Sequence, residues 1–89
     1  MVKKSPPIVY KTDMTPEMQQ KALELANHAT AVYATDADVA AYLTDEFDKR
    51  YEPTWHCILG TQFTGSIKRE EGFYIHFYLN NKEVVLYKW

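Results

Sequence analysis

The stretch Glu52-Pro53-Thr54-Trp55-His56-Cys57-Ile58-Leu59-Gly60 divides the chain into a helical part before it and a strand-forming part after it. Pro53 marks the change, because a proline ring cannot continue a helix and moves the preceding residue out of the helical conformation. Nearly every side chain from Trp55 to Leu59 is apolar or aromatic, which predicts a strand buried on both faces. A chain of 89 residues is too small to supply that burial by itself. We therefore expect an interface with another chain along this strand.

Length, charge and cysteine content narrow the class of protein. Eighty-nine residues make one small domain, and a net charge of −2 argues against a nucleic-acid binder, which normally presents a basic face. The single cysteine excludes an internal disulfide and favours a reducing cytoplasmic setting. No apolar stretch approaches the roughly 20 residues of a membrane span. Lys3 and Lys4 precede Ser5-Pro6-Pro7 rather than an apolar run, so we expect residues 1–7 to be a disordered lead-in and not a signal peptide.

Two amphipathic helices are predicted before this stretch. The first begins at Thr15 and Pro16, a capping residue followed by a residue that fits the first helical turn. Apolar residues then recur at spacings of three and four as far as Tyr33, which predicts a helix over residues 16–33. The second begins at Thr35, with Asp36 as an alternative cap, and ends near residue 51.

The other segments predict an antiparallel sheet. Five of them suit strands by their β-branched and aromatic content: residues 8–11, 55–59, 63–69, 73–79 and 83–88. Asn80-Asn81-Lys82 suits a tight hairpin, because asparagine tolerates positive φ. The order of elements predicts an α+β domain with two N-terminal helices packed on the sheet. Two helices cover only one face, and an uncovered apolar face indicates a second copy related by two-fold symmetry.

Residues with catalytic potential form no recognised constellation. His56 and Cys57 are adjacent, and adjacent residues on a strand point to opposite faces, so they cannot form the hydrogen bond of a Cys–His site. Cys57 is interpreted as a small buried packing residue, with an enzyme or thiol sensor as the alternative. His28, His56 and His76 fall on separate elements, which argues against a metal site. We expect no cofactor and no enzymatic activity.

His56 lies on a strand whose neighbours are apolar, and it is either a satisfied core histidine or an interface residue. If it faces its own copy across a two-fold axis, protonation places two like charges together in a desolvated site. The dimer should then dissociate as the pH falls through the histidine range, and His56→Lys should be monomeric.

The sequence resembles the small dynein light chain family, the eight-kilodalton class of cytoplasmic and axonemal dyneins, over almost the whole chain. The segments that carry the resemblance are Asp13-Met14, Glu17-Met18-Gln19-Gln20, Glu46-Phe47-Asp48-Lys49-Arg50-Tyr51, Pro53-Thr54-Trp55-His56-Cys57-Ile58, Gly60 and Phe77-Tyr78-Leu79. The match runs without gaps, and residues 46–60 are its most specific part.

The resemblance implies a symmetric, strand-exchanged homodimer in which a strand at residues 63–68 crosses to pair with the partner's sheet. Two grooves at the interface then each accept an extended peptide, often with a Thr-Gln-Thr-like core, as one more strand. The implied groove residues are Asp36, Ala37, Gln62, Phe63, Thr64, Gly65, Ser66, Ile67, Lys68, Arg69, Tyr74, His76 and Val85. The implied dimer-interface residues are His56, Ile58, Phe63, Ser66 and Ile67. Backbone N–H groups at Asp36 and Ala37 would bond the ligand glutamine.

Several implied groove positions depart from the family's usual residues. Ala37 replaces a lysine, Thr64-Gly65-Ser66 replaces Gly-Ser-Tyr, Lys68-Arg69 replaces Thr-His, and His76 often replaces a tyrosine. Lys68 and Arg69 favour acidic ligands, and the loss of an aromatic residue at Ser66 removes dimer contact area. The phosphorylatable serine near the family's C-terminus is absent from this sequence, which has Trp89 in its place. The family's peptide preference and its regulation at that serine therefore do not carry over directly.

The resemblance implies a non-catalytic light chain of the dynein motor complex that binds dynein intermediate chain and other partners and promotes their dimerisation. The expected location is the cytoplasm, on the microtubule cytoskeleton, with a cilium or flagellum as the other setting. A structural axonemal subunit dedicated to one partner is the alternative. A hub binds several unrelated peptides, whereas a dedicated subunit binds one.

Overall fold

A computed structural model describes residues 7–60 and 71–89. Its elements, in chain order, are β1 (Ile8–Thr12), α1 (Pro16–Val32), α2 (Asp36–Tyr51), β2 (Trp55–Gly60), β3 (Tyr74–Leu79) and β4 (Lys82–Lys88). The strands form one antiparallel sheet in the order β1-β3-β4-β2. The predicted α+β class, with two helices before most of the sheet, is confirmed. The strand predicted at residues 63–69 lies outside the described residues, as does the predicted lead-in except for Pro7.

Both helices begin at the threonines predicted to cap them. The Thr15 hydroxyl accepts a hydrogen bond from the backbone N–H of Met18 at 3.3 Å. The Thr35 hydroxyl accepts one from the N–H of Asp38 at 3.2 Å, so Thr35 rather than Asp36 caps α2. Each threonine satisfies one of the backbone donors that a helix start leaves without a partner.

The ends of the helices differ slightly from the prediction. α1 ends at Val32, one residue early, because Tyr33 is extended at φ −100° and ψ 142°. The apolar stripe of α1 also stops early: Ala29 is fully buried, whereas Val32 is 58% exposed. α2 ends at Tyr51 as expected, and Glu52 leaves the helix with φ 66°.

The β3–β4 hairpin turns at the two asparagines predicted for it. Asn80 and Asn81 have φ values of 52° and 67°, the left-handed conformation that asparagine tolerates better than most residues. Lys82 belongs to β4 rather than to the turn. The Asn80 side-chain amide also donates to the Thr30 hydroxyl on α1 at 2.8 Å, which ties the hairpin to the helices.

The hydrophobic core lies between the helices and one face of the sheet. Phe47 on α2 is fully buried and packs edge-on against Trp55 of β2, with ring centroids 4.8 Å apart. The cluster of buried residues comprises Met14, Ala22, Leu25, Ala26, Ala29, Val39, Leu43, Phe47, Trp55, Ile75, Phe77, Leu79, Val84 and Leu86. These core residues alternate along β3 and β4, so the intervening residues occupy the face that the helices do not cover.

Candidate functional site

The face of the sheet away from the helices carries three cross-strand rows of side chains, the third of them Tyr78 beside Glu83. Register pairs Tyr74 with Tyr87 and Tyr87 with His56, and one step along it pairs His76 with Val85 and Val85 with Ile58. We call these side chains the open face: His56, Ile58, Tyr74, His76, Tyr78, Glu83, Val85 and Tyr87. Within this set the structure brings together Tyr74, His76 and Val85 of the implied groove with His56 and Ile58 of the implied interface.

Burial of β2 differs between its two faces. Trp55 is 3% exposed on the helix-covered side, whereas Ile58 on the open face is 37% exposed. The predicted burial of both faces is therefore not met within one chain, because no described element covers Ile58. Val85 beside it is buried, at 1% exposed. An exposed isoleucine next to a buried valine in the middle of a sheet is typical of a surface that another chain completes.

His56 packs on its neighbour in the register rather than in the core. Its ring stacks on that of Tyr87, with centroids 5.3 Å apart and planes 27° from parallel. The residue is half-buried on the open face. His56 therefore lies outside the helix-covered core, and its role at an interface stays a prediction.

β2 is an edge strand of the described sheet, and no other described strand pairs with its outer edge. The Trp89 N–H donates to the Thr54 carbonyl at 3.1 Å, and bonding alternates along an antiparallel pair, so Cys57 and Leu59 direct their peptide groups away from β4. Trp55 also directs its peptide groups away from β4, and its N–H donates to the Asp48 carboxylate at 2.9 Å. Among the described residues, no strand pairs with the Cys57–Leu59 edge.

Asp48 is a positioning residue that the sequence pattern does not identify. Its carboxylate accepts the first outer-edge N–H of β2, the backbone N–H of Trp55. The contact spans seven positions across the turn at Pro53. No helical or strand period relates the two residues, so only the fold brings them together.

The start of α2 contains the other two predicted groove residues, Asp36 and Ala37. Asp36 forms an ion pair with Lys82 of the hairpin, Oδ1 to Nζ 2.6 Å. The Thr35 cap takes the N–H of Asp38, and no described residue accepts a hydrogen bond from the N–H groups of Asp36 or Ala37. These donors lie at the hairpin end of the sheet, where Gly60 also ends β2.

His76 lies in a polar group at the centre of β3. Its Nε2 is 3.8 Å from Glu83 Oε2, and its ring contacts that of Tyr10 with centroids 5.1 Å apart. Tyr10 reaches His76 because β1 has a register irregularity between Val9 and Lys11. Sequence reasoning identified His76 but missed both Tyr10 and Glu83, since a bulge cannot be read from an alternating pattern.

The eight groove residues from Gln62 to Arg69, three of which were also predicted at the dimer interface, lie outside the described residues. The structure therefore leaves their roles as predictions.

Nucleophilic and metal chemistry finds little support in the described part of the chain. Cys57 packs against the core, and burial raises the pKa of its thiol to about 12. A thiol of that pKa carries almost no thiolate near neutral pH, which weighs against the thiol-sensor alternative. No group of three histidine, cysteine, aspartate or glutamate side chains is placed to hold a metal ion within residues 7–60 and 71–89. Neither described helix combines the length and apolar character needed to cross a membrane.

These features define a small α+β domain with one helix-covered sheet face and one uncovered face. The sequence matches the family described as Dynein light chain type 1 over residues 6–89. The chain belongs to the dynein light chain family, as its resemblance implied.

Solved structures of related domains share the fold. The dynein light chain-like domain of Fasciola hepatica calcium binding protein FhCaBP2 is 21% identical, with a TM-score of 0.82 over 94% of this chain and 91% of that chain. The DLC like domain of CsTAL3 is 16% identical, with a TM-score of 0.74 over 92% of this chain and 90% of that chain. At such identities the likeness extends to the fold alone.

Proposed function

We propose that this dynein light chain is a non-catalytic homodimer that binds extended peptide segments of partner proteins by strand addition. The observation that carries the proposal is the outer edge of β2, where no described strand takes the peptide groups of Cys57 and Leu59. An open edge beside apolar side chains is a template for another strand. In the dimer that the family resemblance implies, this strand comes from residues 63–68 of the second copy.

The open face supports the same arrangement. Ile58 and His56 lie on the edge strand itself and Tyr87 stacks on His56 from β4, so a strand added at this edge continues an apolar and aromatic surface. Burying the exposed part of Ile58 contributes to association because apolar area leaves water. His56 then lies at the interface, which retains the prediction that protonation weakens the dimer.

The peptide groove follows from the added strand. In the dimer that the resemblance implies, the partner's strand at residues 63–68 would present its far edge to a ligand, with Tyr74, His76 and Val85 lining the floor. The N–H groups of Asp36 and Ala37, which no described residue accepts, are suited to the side-chain carbonyl of a ligand glutamine. This arrangement suits an extended Thr-Gln-Thr-like segment, including one in dynein intermediate chain.

The biological effect of the dimer is to hold two partner chains together. Once one groove is filled, the second binding event is intramolecular, and avidity exceeds single-site affinity by roughly 10²–10⁴-fold. A small domain of this kind promotes dimerisation of disordered partners as a hub of the microtubule motor complex in the cytoplasm. A dedicated axonemal subunit would bind only one of a panel of unrelated partner peptides.

The test is a calorimetric titration of a Thr-Gln-Thr peptide onto the wild-type protein and onto Ile58→Lys. We expect one peptide per chain for the wild type and no measurable binding for Ile58→Lys, because a charge at the interface prevents the dimer that forms the groove. Asp45→Asn, on the exposed side of α2, is the matched control and should bind like the wild type. Equal binding by Ile58→Lys would contradict the proposed dimer groove.

A further inference from the structure

We propose that an aromatic patch on the surface of the two helices binds an arginine side chain from a basic segment of a partner protein. The aromatic patch consists of His28, Val32, Tyr33 and Tyr42. It is separate from the peptide groove, because the five positions between Ala37 and Tyr42 turn the two side chains about 140° apart around α2. The proposal therefore does not depend on the proposed function.

Tyr42 is the centre of the aromatic patch. Its ring centroid is 5.5 Å from that of His28 and 5.5 Å from that of Tyr33, with the ring planes tilted by 43° and 45°. Tyr42 is half-buried and packs against the core, whereas His28 is exposed and Tyr33 is 37% exposed. Tilted rings do not cover one another as stacked rings do, so their faces stay available to a ligand.

Val32 adds an exposed aliphatic side chain to the aromatic patch. It follows His28 by four positions on α1, so the two side chains lie on the same side of the helix. Val32 is 58% exposed, although Ala29 on the same helix is fully buried. Tyrosine rings beside an apolar side chain are typical of the centre of a protein–protein contact. A segment of another protein is therefore the expected occupant.

The charge next to the aromatic patch is negative. Asp38 precedes Tyr42 by four positions on α2, and a helical side chain leans over the turn before its own, so the Tyr42 ring lies towards Asp38. The Asp38 side chain is exposed, and it forms no hydrogen bond or ion pair with the residues that the structure describes. Its carboxylate is thus available to a cation that rests on the Tyr42 ring.

The cations of the two helices are already paired elsewhere. Lys21 on α1 pairs with Glu24 at 3.4 Å. Lys49 and Arg50 on α2 both pair with Glu46, at 3.6 and 3.1 Å. No lysine or arginine within residues 7–60 and 71–89 lies over a ring of the aromatic patch. A cation for this surface has to come from another molecule.

Arginine fits the aromatic patch better than other side chains. A cation is attracted to the face of an aromatic ring, and the planar guanidinium can stack on a ring while it donates two hydrogen bonds to a carboxylate. A second copy of this chain is not the favoured occupant, because two such patches facing each other would bring two Asp38 carboxylates together. The favoured partner is a basic segment with an apolar side chain that covers Val32.

The test is an NMR titration of the ¹⁵N-labelled protein with a synthetic amphipathic peptide that presents arginine and leucine on one helical face. A second peptide carries glutamine in place of each arginine. We expect the backbone amide signals of Tyr33, Asp38 and Tyr42 to shift, and the arginine peptide to bind about tenfold tighter than the glutamine peptide.

Three variants test which side chains carry this preference. Tyr33→Leu and Asp38→Asn should each weaken binding of the arginine peptide about threefold and leave the glutamine peptide within about twofold. Glu17→Gln removes one charge from the exposed start of α1, far from the aromatic patch, and should bind both peptides like the wild type. Circular dichroism verifies the fold of each variant, and if one of the first two does not fold, the other decides.

Several outcomes would overturn the proposal. Absence of binding by either peptide refutes it, as does equal affinity of the two peptides for the wild-type protein. Amide shifts confined to the open face would place the peptide elsewhere and also refute it. An arginine preference that is undiminished in Tyr33→Leu and in Asp38→Asn would show that the aromatic patch does not hold the guanidinium.

Discussion

Replacing Asp48 with alanine should destabilise the domain by removing the acceptor that holds the start of β2. The Asp48 carboxylate accepts the Trp55 N–H at 2.9 Å in a partly buried position. A hydrogen bond to a charged group contributes about 1.5–3 kcal/mol to the free energy of unfolding, more than an exposed ion pair on the same helix. Alanine returns about 0.5 kcal/mol through its better helix propensity. The net loss should be about 1–2.5 kcal/mol.

Thermal unfolding followed by circular dichroism measures this loss. For a domain of this size 1 kcal/mol corresponds to about 4–8 °C, so Tm should fall by about 10 °C. Asp48→Asn retains a neutral acceptor and should lose about half as much. Asp45→Asn, three residues earlier on the exposed side, should stay within about 0.5 kcal/mol of the wild type. All samples need one concentration, because dimerisation shifts Tm. If Asp48→Ala has the same Tm as Asp45→Asn, the Asp48 carboxylate does not stabilise the start of β2.

Three further outcomes follow from the described residues. Burial raises the pKa of the Cys57 thiol from 9.0 to about 12, so Ellman's reagent at pH 8 should label the folded protein about 10³-fold more slowly than the unfolded chain. The labelling rate should still be rising above pH 9. Fast labelling of the folded protein would contradict this burial. Phe47→Ala should cost about 3–5 kcal/mol in urea unfolding, since the ring is fully buried against Trp55 and Tyr51; a cost below 1 kcal/mol refutes that packing. Asn81→Val should cost about 1–2 kcal/mol in the same assay while Asn81→Gly is tolerated, because φ is positive there; equal stability of the two variants contradicts the turn.

Local chemistry made much of the fold predictable. Thr15 and Thr35 cap the helices because their hydroxyls reach N–H groups three residues on, a contact contained within one turn. Pro53 ends the helical half for an equally local reason. Asn80 and Asn81 take the positive φ values of a tight hairpin. Each of these features depends on only a few neighbouring residues and can therefore be predicted from a single sequence.

The parts of the site that escaped prediction depend on contacts distant in the sequence. Asp36 reaches Lys82 only because the hairpin folds back to the start of α2. Tyr10 meets His76 through a register irregularity of β1 that no alternation of residues encodes. Glu83 was not among the predicted site residues, and its side chain is only 20% exposed. Charged residues on predicted surfaces are where sequence reasoning is weakest, because fold geometry decides which of them become partners.

The measurement that tests the central claim most directly is sedimentation equilibrium of the wild-type protein, alone and with a Thr-Gln-Thr peptide of dynein intermediate chain type. The account predicts a mass of two chains at micromolar concentration, and two peptides per dimer when the peptide is saturating. A dimer that takes up no peptide would mean that the groove departures at Ala37, Lys68 and Arg69 have changed the specificity. A mass of one chain would contradict the account, because the open edge of β2 would then have no partner strand and the groove would not form.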